Sequence, residues 1–176
     1  KDKYSREHVT NYLSGIISAD QHNTKNALKF FQKTQSLKKI HHNFNVQFIR
    51  TLVLAGRFDQ AFKFSKEIWK EEESFFEVDL LLGLNSFINQ DYKKAKKHFE
   101  RLNQISQYNL YIEDFLGSLL IVWSEASGKN KNESFNFLNK IPSRYGNLKK
   151  IQDSFLKCYF NSLNTQLSFK TLIEDN

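Results

Sequence analysis

The sequence has little cysteine, proline or glycine and no methionine. One cysteine, Cys158, rules out an intramolecular disulfide framework. One proline and six glycines exclude collagen-like and proline-rich chains and disfavour a turn-dense all-β fold. No apolar run approaches the roughly 18–20 residues of a membrane span, so we predict no integral membrane segment in the visible chain. Because residue 1 is not methionine, we expect the natural chain to begin upstream. An exported protein that has lost its signal peptide and a cytoplasmic protein both remain open.

Hydrophobic residues make up 40% of the 176 residues, which is enough to bury a core. The net charge of +7 would suit nucleic acid or an anionic membrane, but only 5 of the 26 basic residues are arginine. Arginine is the residue that forms bidentate forks to phosphate. The sequence also contains 17 asparagines and 17 phenylalanines, and a joint excess of lysine, asparagine and phenylalanine is typical of a coding bias. We therefore predict a solvated lysine-rich surface and disfavour nucleic acid as a partner.

Small residues recur at an interval of 34 positions or twice that interval. The two series are Ala27, Ala61 and Ala95, and Gly15, Gly83 and Gly117. Between them, apolar residues recur with helical spacing and are interrupted by short polar breaks. Each unit is therefore predicted to form a helix, a short turn and a second helix. The small residues are expected to allow the two paired helices to approach closely. We predict the turns near 21–24, 56–58, 89–91 and 128–132.

This two-helix unit of 34 residues resembles the tetratricopeptide repeat (TPR). The resemblance is carried by glycine on the first helix, by alanine on the second, and by the turn segments GRFDQA at 56–61 and NQDYKKA at 89–95. It implies an all-α, right-handed α-solenoid of about four to five antiparallel helix pairs. The expected repeats cover 8–41, 42–75, 76–109 and 110–142, followed by a degenerate or partial unit over 143–176, all within one domain.

The later repeats depart from this pattern. Gly117 keeps the register, but Lys129 occupies the expected alanine position, and a shift of five residues to Ser134 restores the pattern. We therefore predict a longer turn at 127–132. The segment LLIVWSEA at 119–126 is also similar to uncharacterised bacterial repeat proteins.

Residues that could carry chemistry do not form a recognisable catalytic or metal-binding pattern. His41 and His42 are adjacent, so they do not share a helix face, and no third ligand lies nearby in sequence. Cys158 lies in an apolar segment without a nearby histidine, which predicts a buried, structural thiol. His22 and His98 are expected to be exposed. We predict no metal, no cofactor and no catalytic residues.

Two charged runs are interpreted as solvated surface. Glu71, Glu72 and Glu73 follow a helix and have no partner that would position them for acid–base catalysis. A basic face on the second helix of the third repeat is expected to point outward, with Ala95 and Phe99 inside. Its members are Lys93, Lys94, Lys96, Lys97 and Arg101.

The resemblance implies that the first helix of each pair lines a concave surface. One stripe of residues spaced by about one turn should face that surface from each first helix. The predicted groove is mainly apolar, with Arg50 as its central cation among carboxylates. It comprises Tyr12, Ile16, Asp20, Asn43, Val46, Arg50, Leu54, Glu77, Leu80, Leu84, Asp114 and Ser118, with Ile88 and Val122 continuing two of the stripes.

The predicted function is a non-enzymatic scaffold or adaptor that binds a protein or peptide segment in this groove. Two alternatives stay open at this stage. An RNA-binding helical-repeat protein would use the net positive charge, and its binding would fall steeply with salt. A helper domain of a longer catalytic chain would be revealed by the sequence on either side of residues 1–176. The oligomeric state and the partner's identity are not encoded in any motif that we find.

Overall fold

The computed structural model describes residues 5–73, 75–106 and 112–174, and within these ranges the chain forms α-helices, two short 3-10 helices and no strand. No helix among them is both long and apolar enough to cross a bilayer. The ten α-helices of the described residues are α1 (Arg6–Asp20), α2 (Thr24–Gln32), α3 (His42–Leu54), α4 (Phe58–Ile68), α5 (Phe76–Ile88), α6 (Tyr92–Ser106), α7 (Ile112–Ser127), α8 (Lys131–Lys140), α9 (Gly146–Tyr159) and α10 (Thr165–Glu174). The 3-10 helices are Gln35–Lys39 and Ser143–Tyr145.

The turns within the helix pairs share one backbone geometry. His22, Gly56 and Gln90 have φ of 57°, 69° and 62° and lie 34 positions apart, and Lys129, with φ of 66°, follows Gln90 by 39 positions. At each turn the next residue's N–H donates to the carbonyl five residues earlier, for example Arg57 to Leu52 at 2.8 Å. This bond is the Schellman closure of a helix C-terminus. The four turns lie where the sequence predicts them, and the fourth is displaced by five residues. The prediction of a longer turn at 127–132 is wrong, because α7 continues to Ser127 and only 128–130 separate it from α8, as many residues as in the other pairs.

The chain divides into two compact units, Lys1–Leu82 and Gly83–Asn176, with the division inside α5. In the first unit α1 packs on α2, α2 on α3 and α3 on α4. Its core combines aliphatic residues with five phenylalanines, and several of their rings contact one another: the Phe48 and Phe64 rings meet edge to face at 4.8 Å, and Phe31 and Phe44 at 6.1 Å. Ala27 and Ala61 are fully buried, as the repeat pattern predicts.

In the second unit α6 packs on α7, α7 on α8, α8 on α9 and α9 on α10. Ala95 is fully buried here, which confirms the third member of the alanine series. The core around α7 to α9 includes Val122, Ala126, Leu138 and Leu156. Phe169 on α10 and Phe155 on α9 have ring centres 5.7 Å apart, so these two helices pack against each other. The repeat boundaries themselves stay a prediction.

Gly15 and Gly83 lie where two paired helices cross closely, whereas Gly117 on α7 faces Asn103 on α6, the helix of the preceding pair. A Cβ built on Gly15 would lie 2.5 Å from Cε1 of Phe31, and one built on Gly83 would lie 2.3 Å from Cε1 of Phe99. Both distances are well below the 3.5–4.0 Å of a favourable carbon–carbon contact. The absence of a side chain on the first helix therefore makes room for a phenylalanine ring on the second.

Three predictions about side-chain exposure are wrong. His98 is buried, because it lies one turn after Ala95 and shares the buried face of α6. Cys158 is exposed, because it lies on the last turn of α9 where even its neighbour Tyr159 is 40% exposed. Val122 belongs to the core of the second unit and does not line a groove.

Candidate functional site

In the first unit the predicted groove residues lie on the first helices α1, α3 and α5, but they divide into two classes. Tyr12, Ile16 and Val46 are partly buried and pack against the core of the unit. The Tyr12 ring also contacts the His41 ring at 4.8 Å, and burial raises the pKa of its hydroxyl. These side chains thus support the helix pairs as well as contributing to the surface.

The second class of groove residues is open to solvent. Asp20, Asn43, Arg50 and Leu54 are exposed, while Glu77 and Leu80 are half-buried. Arg50 and Leu54 are one turn apart on α3 and therefore lie on the same face of the helix. Their exposure is high: the Arg50 side chain is 59% exposed and Leu54 is 75% exposed.

Arg50 is paired with Glu77, which the sequence analysis did not foresee. Its Nε and Nη2 groups donate to Oε1 of Glu77 at 3.1 and 2.7 Å. Because the arginine is largely exposed, the pair adds at most about 1 kcal/mol to stability. It does orient the guanidinium, and it leaves Nη1 with no acceptor among the described residues. Arg50 therefore keeps donors that a ligand could use.

The sequence does contain a signal for contacts of this kind. Side chains of successive repeats meet at separations of 27 to 29 positions, as in Arg50–Glu77, Lys38–Glu67, Lys96–Glu125 and Trp123–Gln152. The separation is shorter than the 34-residue period because each side chain does not contact the equivalent position in the next repeat. It contacts a residue that lies about one to two helical turns before that position. A search for opposite charges at this separation would have found the Arg50–Glu77 pair.

In the second unit the structure describes most, but not all, of the side chains predicted to line the groove. Leu84 and Ser118 are half-buried, and Ile88 is exposed. The Ser118 hydroxyl accepts a hydrogen bond from Nδ2 of Asn103 at 3.2 Å. The side chain of Asp114 lies outside the described residues.

The basic face on α6 is not uniformly solvated, which corrects the prediction for Arg101, which is half-buried, and for Lys96. Lys96 is only 27% exposed, and its Nζ donates to Oε1 of Glu125 at 2.5 Å and lies 4.6 Å from the centre of the Phe137 ring. Burial of Glu125 raises the pKa of its carboxyl, but hydrogen bonds from Lys96 and Asn130 outweigh this effect, and the net pKa is lowered. Lys93, Lys94 and Lys97 are exposed as expected.

The histidine pair has structural contacts. Nδ1 of His41 accepts a hydrogen bond from the backbone N–H of Phe44 at 3.0 Å and so caps the start of α3. The His42 ring stacks on Phe75 with ring centres 3.9 Å apart. Within the described part of the chain, no three His, Cys, Asp or Glu side chains come together as a metal site. Glu71, Glu72 and Glu73 are exposed after the end of α4.

Comparison with known proteins shows the fold and not the family. No protein-family model matches the chain, and no curated protein matches it. Among solved structures it is similar to a MamA RS-1 double mutant, with a TM-score of 0.75 at 12% identity over 97% of this chain and 94% of the other. It is also similar to MamA MSR-1, with a TM-score of 0.71 at 13% identity over 97% of both chains.

A third similar structure is itself described as having TPR-like repeats. It is a Podosopora anserina protein assigned as a kinesin light chain, with nearly identical TPR-like repeats. The TM-score is 0.67 at 8% identity over 97% of this chain and 96% of the other. The chain therefore has the TPR-like, all-α solenoid fold that its 34-residue period predicts.

Proposed function

We propose that this chain is a non-enzymatic scaffold that holds a segment of another protein against the face of α3 bearing Arg50 and Leu54. The TPR-like fold supports a protein-binding role of this general kind. One observation carries the choice of surface: a leucine that is 75% exposed stands one turn from an arginine whose guanidinium is oriented by Glu77.

The bound segment supplies an apolar side chain for Leu54 and an acceptor for the remaining Arg50 donors. A carboxylate is the strongest acceptor for a guanidinium. Because Glu77 already neutralises Arg50, a partner carboxylate adds about 1 kcal/mol here, below the roughly 1.5–3 kcal/mol of an unshared charged hydrogen bond. Affinity then depends mainly on the apolar contact, and Arg50 selects the orientation of the segment.

The test compares two sets of exposed residues in quantitative pull-downs from the cells that make the protein. One variant carries Arg50→Ala with Leu54→Asp, and the matched control carries Lys93→Ser, Lys94→Ser and Lys97→Ser. All five side chains are exposed, so both variants are expected to fold, which circular dichroism checks. The groove variant should lose the captured partner and the lysine variant should keep it. The opposite result would contradict the proposal.

The nucleic-acid alternative makes a different prediction in the same experiment. Binding to phosphate would weaken by orders of magnitude between low and moderate salt and would depend on the lysines. A helper domain of a longer catalytic chain would show itself in the sequence that precedes Lys1 or follows Asn176. No contact in the described residues favours either alternative over protein binding.

A further inference from the structure

The second unit contains a cleft of about 590 Å³ that none of the sequence motifs indicated. It lies between α9 and α10 and reaches the end of α8. Its apolar lining comes from Leu138, Leu167 and Leu172, and Lys149 and Lys157 are among the charged residues around them. Leu167 is 64% exposed, and no residue of α10 is buried. The outer wall of the cleft is thus a ten-residue helix with much of its apolar surface uncovered.

Two lysine ammonium groups in the cleft are held in place by protein acceptors. Nζ of Lys149 donates to the carbonyls of Asn139 and Ile141 at 2.8 and 3.0 Å, at the C-terminal end of α8. Nζ of Lys157 pairs with Asp153 at 2.6 Å and donates to the Ser168 hydroxyl at 3.0 Å. An ammonium group has three N–H donors. Each lysine therefore keeps one donor that no described residue accepts.

The spacing of these lysines sets the length of a complementary ligand. They are eight residues apart on α9, which is about 12 Å along the helix axis. An extended peptide covers that distance in about four residues. Asp153 lies midway between the two lysines and would repel a negative charge at the centre of the ligand. An acidic residue at each end of a five-residue segment, with an apolar residue between them, matches this pattern.

The chemistry of the lining favours a peptide over a nucleic acid. Three lysines and one aspartate line the cleft, so it attracts anions. None of its lining residues is aromatic, so none could stack on a base. None is an arginine that could make a bidentate hydrogen bond to a phosphate. The leucines instead provide apolar contact for a side chain.

We propose that the cleft between α9 and α10 binds an extended acidic peptide segment whose two carboxylates, four residues apart, pair with Lys149 and Lys157 while an apolar side chain between them packs on Leu167. This surface is separate from the α3 face of the proposed function. The bound segment covers Leu167 and adds a second set of contacts to α10.

The test uses synthetic peptides, so that the ligand is changed and the protein is not. A fluorescein-labelled peptide with the core Glu-Ser-Leu-Ser-Glu is titrated with the whole chain and binding is followed by fluorescence anisotropy. Comparison peptides carry Lys-Ser-Leu-Ser-Lys, to reverse the charge, and Glu-Ser-Asp-Ser-Glu, to place an acid opposite Asp153. An oligothymidylate tests for general polyanion binding. The first peptide should bind at least about tenfold more tightly than either comparison peptide.

Protein variants then locate the site. Lys149→Gln, Lys157→Gln and Leu167→Ser should each weaken binding by about tenfold, which corresponds to the loss of one charged or apolar contact of 1.4 kcal/mol. Lys170→Gln is the matched control: this lysine is on α10 and pairs with Glu174 at 3.7 Å, but it does not line the cleft. It should leave the affinity unchanged. Because Leu167 is exposed, Leu167→Ser is expected to fold, and it therefore tests the proposed peptide site even if a lysine variant fails to fold.

Several results would overturn the proposal. These are the absence of saturable binding, equal binding of the charge-reversed peptide, an equal effect of Lys170→Gln, and binding of oligothymidylate that Lys149→Gln abolishes. Arg50→Ala should not change peptide affinity. The proposal for the cleft and the proposal for α3 can therefore fail independently.

Discussion

Replacing Gly83 with alanine tests whether the recurrent glycines are required by close helix packing. A Cβ at this position would lie 2.3 Å from Cε1 and 2.7 Å from Cδ1 of Phe99, so the ring would have to move by more than 1 Å to reach normal contact. Phe99 is fully buried and has no solvent to move into. Overpacking of this kind costs about 1–3 kcal/mol.

The same substitution also removes a glycine from a helix, which favours folding by roughly 0.5–1 kcal/mol. We therefore expect Gly83→Ala to lower the free energy of unfolding by about 1–2 kcal/mol. The control is Gly146→Ala at the start of α9, where φ is −40° and no atom lies within 4 Å of a built Cβ. That variant makes the same chemical change without a clash and should be neutral or slightly stabilising.

Urea unfolding followed by circular dichroism measures both variants. A third variant, Gly83→Ala with Phe99→Leu, provides space for the new methyl group. Its loss of stability should be smaller than the sum of the two single losses, because residues in contact couple by about 0.5–3 kcal/mol. If Gly83→Ala is as stable as Gly146→Ala, the glycine series does not reflect helix contact and the packing argument is wrong.

Two further predictions concern electrostatics and turns. Glu125→Gln should lower the free energy of unfolding at neutral pH by about 1–3 kcal/mol, because it removes the negative charge and leaves one acceptor oxygen where Lys96 and Asn130 each donate to a separate one. The pKa of Glu125 is lowered in the folded chain, so its stabilisation is present above the ordinary carboxyl pKa and disappears as the pH falls through the lowered value. The difference between variant and wild type in urea unfolding should therefore be largest at neutral pH and should shrink once the pH falls below the ordinary carboxyl pKa. His22→Gly and Gln90→Gly should each raise the melting temperature, since a left-handed conformation costs a non-glycine residue about 1–2 kcal/mol and glycine's extra chain entropy offsets only part of the gain.

The sequence predicts the fold well because the signal repeats. Ala27, Ala61 and Ala95 are all fully buried, and the three left-handed turn residues at 22, 56 and 90 keep the same interval. A single alanine or a single polar break would mean little. Three alanines and three turn residues at equal intervals indicate a structural unit of that length. Because the residues between them have helical periodicity, the unit is interpreted as a helix pair.

The candidate sites are harder to predict because exposure depends on neighbours that are distant in sequence. His98 is buried by the face that it shares with Ala95, and Cys158 is exposed because little covers the last turn of α9. Arg50 was expected to be the central cation of the groove, and the sequence analysis did not indicate that Glu77, 27 positions later, pairs with it directly. In the sequence Lys149 and Lys157 are two lysines of a lysine-rich helix, and their contacts with the end of α8 and with Ser168 on α10 appear only in the folded chain.

The second helix pair shows what the fold actually constrains at the close crossing. Ile49 occupies the position equivalent to Gly15 and Gly83, and Ser65 occupies the position equivalent to Phe31 and Phe99. Both are buried, with Ser65 fully inaccessible, so the bulky side chain is here on the first helix and the small one on the second. The Ser65 hydroxyl has no hydrogen-bond partner among the described residues, so its small volume, and not its polarity, accounts for its presence. At these two positions each of the first three repeats therefore has one small and one bulky residue, and the repeats differ in which helix carries the bulky one. This is why a glycine pattern taken alone misses the second repeat, while the 34-residue period includes it.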